Sequence, residues 1–292
     1  MRNGGVRPAK RFLAGALATT GLNRVFLLAQ ALTHRRGYVR VVNYHGTPPE
    51  HAQLLEQHLR FYAKHFCPVS LCDLDRFFQS GEWSSPKPGL VISFDDGLRS
   101  NYDVAAPMLD RYGFVGWFFV PVGFVDTPVE AQADFARAHR IFGSDYRRLD
   151  GRVAMSWDEV RTLATRHVVG CDTRTHRRME QSVPPPVIHD EIVSARADLE
   201  ARLGRPVETF CWVGGEERAY CTEAARVVRH AGYRYAFMND SAPVVPGTDP
   251  HQIQRTNIEA SWPLDVVRFQ LSGVMDLLYL PKRYRVERLT AR

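Results

Sequence analysis

Two kinds of apolar pattern alternate along this chain. Short continuous runs rich in β-branched and aromatic residues are separated by longer stretches in which apolar residues return at helical spacing. The short runs centre near residues 39, 91, 116, 168, 208, 234 and 254, and their length and composition predict seven buried strands. Between them, residues 51–66 place Leu54, Leu55, Leu59, Tyr62 and Phe66 on one stripe, and residues 71–79, 101–112, 157–166, 187–203 and 220–230 read as further helices. Ser156 with Glu159 forms a capping box at the start of one, and Gly113, Gly204 and Gly232 close others. Strand followed by amphipathic helix, repeated, predicts a parallel sheet covered by helices. Seven such units approach ring closure, so the expected fold is α/β, a distorted (β/α)7-type TIM-like barrel forming a single catalytic domain. A length of 292 residues suits one domain of this kind.

The periodic region spans residues 38–270. Residues 1–37 read as an N-terminal amphipathic helical appendage and residues 271–292 as a basic C-terminal tail. In the appendage, Asn23 and Arg24 interrupt the apolar pattern well short of a membrane span. Thr19, Thr20 and Gly21 dilute what would be the apolar region of a secretory signal. Two roles stay open for it: a helix packed on the barrel, or a peripheral membrane contact through an amphipathic helix. The net charge of +6 comes largely from basic residues near the two ends, which suits an anionic surface and equally a solvated face. No nucleic-acid motif accompanies them, so nucleic acid is not an expected partner. Five cysteines without framework spacing read as reduced thiols, which points to a cytoplasmic protein, with the inner face of the membrane as a possible station.

The strand at residues 90–94 ends in Asp95-Asp96-Gly97. Adjacent side chains of an extended backbone point in different directions, so one carboxylate can bind a metal while the other faces a substrate; the same tripeptide is also an ordinary turn. Downstream, Gly170-Cys-Asp-Thr-Arg-Thr-His176 places Asp172 and His176 four residues apart. A helical turn there would put both on one face. With Asp96 they form a two-carboxylate, one-histidine ligand set that leaves coordination positions open. His45 directly follows the first strand, where a barrel exposes its reactive face, and Arg255 sits in the last strand, from which it could orient Asp95. Trp212 reads either as core packing or as a sugar-stacking wall.

Ser93-Phe-Asp-Asp-Gly97 followed by the Asp172–His176 segment resembles the first two motifs of the NodB-type polysaccharide deacetylases, carbohydrate esterase family four, written [ST]-F-D-D-G and H-[ST]-x-x-H. Phe210-Cys-Trp-Val-Gly-Gly215 resembles their third motif, and Tyr44-His45 resembles the N-terminal Tyr-His of members with circularly shifted motif order. The resemblance covers residues 38–260. It implies that Asp95 is the catalytic base, Asp96 and His176 are metal ligands, and His45 is the acid that protonates the departing amine. It implies a divalent metal, zinc foremost, with manganese, cobalt or magnesium as alternatives. A backbone N–H after the Asp-Asp strand or near Gly214 would help hold the developing oxyanion. The implied activity is N-deacylation, most simply N-deacetylation, of an amino sugar in a surface glycan or its lipid-linked saccharide precursor.

Two departures qualify that likeness. Asp172 stands where the family has its first histidine ligand, and Val213-Gly214 replaces a Pro-Tyr pair with no arginine before it. Three carboxylates with a divalent ion leave a formal charge of about −1, which weakens the ion as a Lewis acid and favours manganese or magnesium over zinc. Weakened or metal-shifted activity relative to an Asp172→His variant is the expectation. The alternative is a catalytically inactive glycan-binding relative; a deformylase or amidase on a non-glycan substrate shares the same site chemistry.

Overall fold

The computed structural model of the protein describes residue 34 and residues 37–141 and 150–291. The helical reading of the N-terminal appendage therefore lies outside the described residues. Nine strands lie among the described residues: β1 (Val39–Tyr44), β2 (Cys67–Pro68), β3 (Gly89–Phe94), β4 (Gly116–Val120), β5 (Val168–Cys171), β6 (Thr209–Cys211), β7 (Tyr235–Met238), β8 (Ile253–Gln254) and β9 (Thr256–Asn257). Their order is β8-β7-β6-β5-β4-β3-β1-β9, with β2 also paired to β3, and all these ladders are parallel. The two ends of that path, β8 and β9, are separated in sequence by Arg255 alone. One strand thus pairs first with β7 and then with β1, and brings a TIM-like (β/α) barrel nearly to closure.

The α-helices among the described residues are α1 (Ala52–His65), α2 (Leu71–Ser80), α3 (Ala106–Tyr112), α4 (Val122–Asp126), α5 (Val129–Ala138), α6 (Trp157–Leu163), α7 (Pro185–His189), α8 (Ala195–Leu203), α9 (Thr222–His230), α10 (Leu264–Leu271) and α11 (Val274–Thr290). Both sides of the sheet are dry, as a parallel sheet requires. One buried cluster joins Val39, Val41, Val91, Trp117, Phe119, Cys211, Phe237 and Ile253 inside the barrel, with Leu74 and Phe77 of α2 sealing it. A larger cluster packs alternate strand residues such as Ile92, Phe118 and Phe210 against Leu59, Leu109, Ile192, Leu199 and Val228 of the surrounding helices. The interior is full: a Cβ on Gly170 would sit 2.3 Å from Thr209 Oγ1 and 2.6 Å from the Phe119 ring, so β5 can pass there only as glycine.

Two helices contain π-turns, Asn101–Ala105 ahead of α3 and Asp190–Ser194 between α7 and α8. Pro107 has no N–H to give to the preceding turn, and the Ala106 N–H bonds Asn101 O instead. The segment read as a basic tail is α11, docked on the barrel. Asp276 takes both terminal nitrogens of the buried Arg40 of β1 at 2.9 and 2.5 Å, and Val286 is fully buried. No helix among the described residues is long and apolar enough to cross a membrane.

Candidate active site

Every side chain singled out above lies at or just beyond the C-terminal ends of the strands, the end at which such barrels carry their chemistry. Extended β3 runs into Asp95 and then turns abruptly, because Asp96 has φ +73° and Gly97 φ +64°. The left-handed turn aims the two neighbouring carboxylates at different partners. Asp95 points to Arg255, whose two terminal nitrogens donate to Oδ1 and Oδ2 at 2.6 and 2.9 Å. Asn43 of β1 adds a bond to Oδ2 at 3.2 Å. The guanidinium is fully buried; it also donates to Ser93 Oγ (3.2 Å), Cys211 Sγ (2.9 Å) and Asn239 Oδ1 (3.0 Å), and lies over the Phe119 ring. Burial alone would lower its pKa, but Asp95 outweighs that and keeps it raised. The Cys211 thiol is raised by the same burial.

Asp96 points the other way, toward Asp172 and His176. Ligand atoms from these three residues all lie within 4.8 Å of one another. Asp172 Oδ2 accepts the Asp96 N–H at 3.1 Å, while Oδ1, equally buried, has no hydrogen-bond partner among the described residues. His176 Nε2 is 3.0 Å from Asp96 Oδ1, and its Nδ1 donates to His139 O at 2.7 Å. That second bond fixes the ring and leaves Nε2 for the cluster. Burial would lower the His176 pKa, but Asp96 and then Asp172 hold it up at about 9. Burial raises Asp172, Asp95 and Asp96 add to it, and His176 opposes them. Two carboxylates and an imidazole so close together, with one orphaned buried oxygen, fit a divalent cation. The segment is not the helical turn expected from the spacing: Thr173 and His176 both have positive φ, +59° and +55°, and a tight turn brings Asp172 and His176 together instead.

His45 follows β1 with its Nδ1 3.1 Å from Glu259 Oε1, two residues beyond β9. Burial would lower the imidazole, yet Glu259, with Asp96 and Asp95 behind it, raises it to about 10. Asn101, delivered by the π-turn, ties the two loops together: its side chain donates to Asp95 O at 3.3 Å and accepts the Thr47 hydroxyl at 3.0 Å. Below them His58 donates from Nε2 to Trp262 O (2.8 Å) and so accepts at Nδ1 from Tyr44 OH (3.1 Å). Burial holds His58 near 4 and hence neutral.

Gly214 has φ +82°, and its carbonyl accepts from Asn239 Nδ2 at 2.9 Å, which links that loop to Arg255 through Asn239. Trp212 is a core residue. It is 2% exposed and wedged edge-on to Phe210 and against Tyr220, so it offers no stacking wall. Sequence reasoning missed Glu259, Asn43, Cys211, Asn101 and Asn239. Asn43 carried a signal, a polar residue in an apolar strand two before His45, and Cys211 lies inside the segment that resembles the third motif; Glu259, Asn101 and Asn239 are lone residues in no motif.

The family model described as polysaccharide deacetylase matches residues 84–236, just over half of the chain, including both the Asp-Asp strand and the Asp172–His176 turn. This chain belongs to that family. Among curated relatives of this chain are the poly-β-1,6-N-acetyl-D-glucosamine N-deacetylases of Escherichia coli K12 and O157:H7, each 26% identical over 164 residues, 52% of this chain. The chain covers only 23% of their length. Among solved structures, the Streptococcus pyogenes deacetylase PplD has a TM-score of 0.63 at 16% identity, covering 82% of this chain and 98% of that one. IcaB from Ammonifex degensii has a TM-score of 0.60 at 20% identity, with coverage of 82% and 97%. These likenesses show that this chain shares their fold.

Proposed function

We propose that this chain is a metal-dependent hydrolase that removes an N-acyl group, acetyl in the first instance, from an amino sugar of a surface polysaccharide or its lipid-linked precursor. The observation that carries the reading is the clamp of a fully buried Arg255 on both oxygens of Asp95, directly beside the Asp96, Asp172 and His176 cluster. A carboxylate held at both oxygens keeps one orientation, as a group that accepts a proton from a fixed direction must. Asp96, Asp172 and His176 would hold a divalent cation, zinc by family likeness, which when bound polarises the acyl oxygen and acidifies the attacking water. Asp95 takes the proton of that water as its oxygen adds to the acyl carbon. His45, kept protonated by Glu259, gives its proton to the nitrogen as the C–N bond breaks, releasing a free amino sugar and a carboxylic acid.

The competing view, a glycan-binding relative disabled by Asp172, is weakened by the way that residue is held. One oxygen is fixed by the Asp96 N–H and the other has no hydrogen-bond partner among the described residues, the arrangement of a ligand rather than of a lost one. The Escherichia coli relatives' named substrate makes N-acetylglucosamine polymers the first to try. The test is acid release from such oligomers by chelated protein reloaded with zinc, manganese, cobalt or magnesium, scored for acetate and formate. Release should fall by roughly 10³ in Asp95→Asn. Metal-loaded protein that releases nothing from polymeric or lipid-linked amino sugars would overturn the reading.

A further inference from the structure

The turn that carries Asp172 and His176 adopts a backbone its own residues disfavour. Thr173 and His176 lie at φ +59° and +55°, and a β-branched residue rarely enters that region unless its surroundings impose it. Here one carboxylate supplies much of the constraint. Glu191, only 3% exposed, projects from the π-turn Asp190–Ser194. Its Oε2 accepts the N–H groups of Arg174 and Thr175 at 2.9 and 2.8 Å, and its Oε1 accepts the Thr175 hydroxyl. These two residues stand between the cluster's Asp172 and His176. The Gly123 N–H closes the other side on Arg174 O at 2.8 Å, and the Arg174 guanidinium is engaged by Asp190 and Asp198.

We infer that Glu191 is the positioning residue of the metal-ligand turn, setting the separation of Asp172 and His176 through Arg174 and Thr175 without touching substrate or reacting atoms. This rests on the reading of Asp96, Asp172 and His176 as a cation site. A neutral amide in place of the carboxylate leaves the two turn N–H groups an uncharged, weaker acceptor and takes away the second oxygen that accepts the Thr175 hydroxyl, and the backbone is then free to relax to negative φ, which carries His176 off the cluster. A π-turn suits the task, since such turns concentrate where a helix must aim one side chain at a functional site.

The experiment compares the unaltered full chain with Glu191→Gln, Thr175→Val and, as a control on α9 away from the turn, Glu223→Gln. Zinc affinity is measured by competition with a chromophoric chelator, and amide hydrogen exchange is followed across residues 172–178. Glu191→Gln should weaken zinc binding by about tenfold or more and speed exchange in the turn while the strands keep their protection. Thr175→Val should shift both readouts in the same direction, and Glu223→Gln should leave zinc affinity unchanged. If Glu191→Gln does not fold, Thr175→Val decides alone. Zinc affinity and exchange unchanged in the folded variants overturn the inference. An unaltered chain that takes up no zinc overturns the cation reading together with it, an outcome distinct from unaltered and variant chains binding equally well.

Discussion

A carboxylate in place of an imidazole at position 172 changes charge and ligand hardness together. Counting only the three carboxylates leaves a divalent site negative, but the buried Arg255 on Asp95 supplies the missing positive charge, so the assembled set is formally neutral and the weakening expected from Asp172 is smaller. The preference for harder ions remains. Asp172→His should raise the ratio of zinc to manganese affinity by about tenfold, measured by competition titration; an unchanged ratio would mean that Asp172 is not a ligand. His45 makes a second prediction. Its pKa is raised from 6.5 to about 10, chiefly against burial and through Glu259, so the pair's contribution to stability is complete below pH 6.5 and is lost as pH rises through about 10. Glu259→Gln should shift the alkaline limb of the pH–rate profile downward, toward the ordinary imidazole range. A profile that does not move would remove His45 from the role of acid.

At the scale of elements, the closing strand determines how the site is assembled. Arg255 sits at the single residue between β8 and β9, where pairing passes from β7 to β1, and from there its side chain crosses the barrel interior to Asp95. Arg255→Met should cut kcat/KM by at least about 100-fold while the Asp96, Asp172 and His176 cluster still takes up metal. Arg255→Lys should recover little, because a single ammonium cannot serve both oxygens. Activity close to that of the unaltered chain in Arg255→Met would show that Asp95 needs no tether. The seven strands were legible from their apolar runs, since a strand buried on both faces has no other pattern to show. The break at Arg255 was not, because a switch of partner leaves no mark in composition. Nor was the turn at Thr173–His176, where the spacing of Asp172 and His176 suggested helix but Glu191, distant in sequence, imposes another backbone. Asp95, Asp96, Asp172 and His176 were legible because they sit in two short motifs; Glu259 and Asn43 act through tertiary contacts that a linear reading does not contain.

At the scale of the molecule, α11 is part of the barrel's support. Arg40 is fully buried and shares its charge with Asp276, which also accepts the Ser241 hydroxyl at 2.9 Å. Removing Asp276 takes a two-point charged partner from a fully buried guanidinium. Asp276→Ala should therefore cost about 3–5 kcal/mol in chemical denaturation, and Arg40→Met added to it should return a large part of the loss. Additive losses in the double variant would mean that the two residues do not act as a pair.

The closing strand also sets the order in which the site can come into being. The Asp96, Asp172 and His176 cluster lies just beyond the ends of β3 and β5, and β3, β4 and β5 pair with their immediate neighbours. The partners proposed to act on Asp95 and His45, Arg255 and Glu259, come from the last strand and the turn after it and reach them across 160 and 214 residues. Contacts so distant in the chain are slow to form. A refolding or nascent chain is therefore expected to acquire its cation-binding half first and to remain inert until the ring closes, so that hydrolysis switches on only with the final strand.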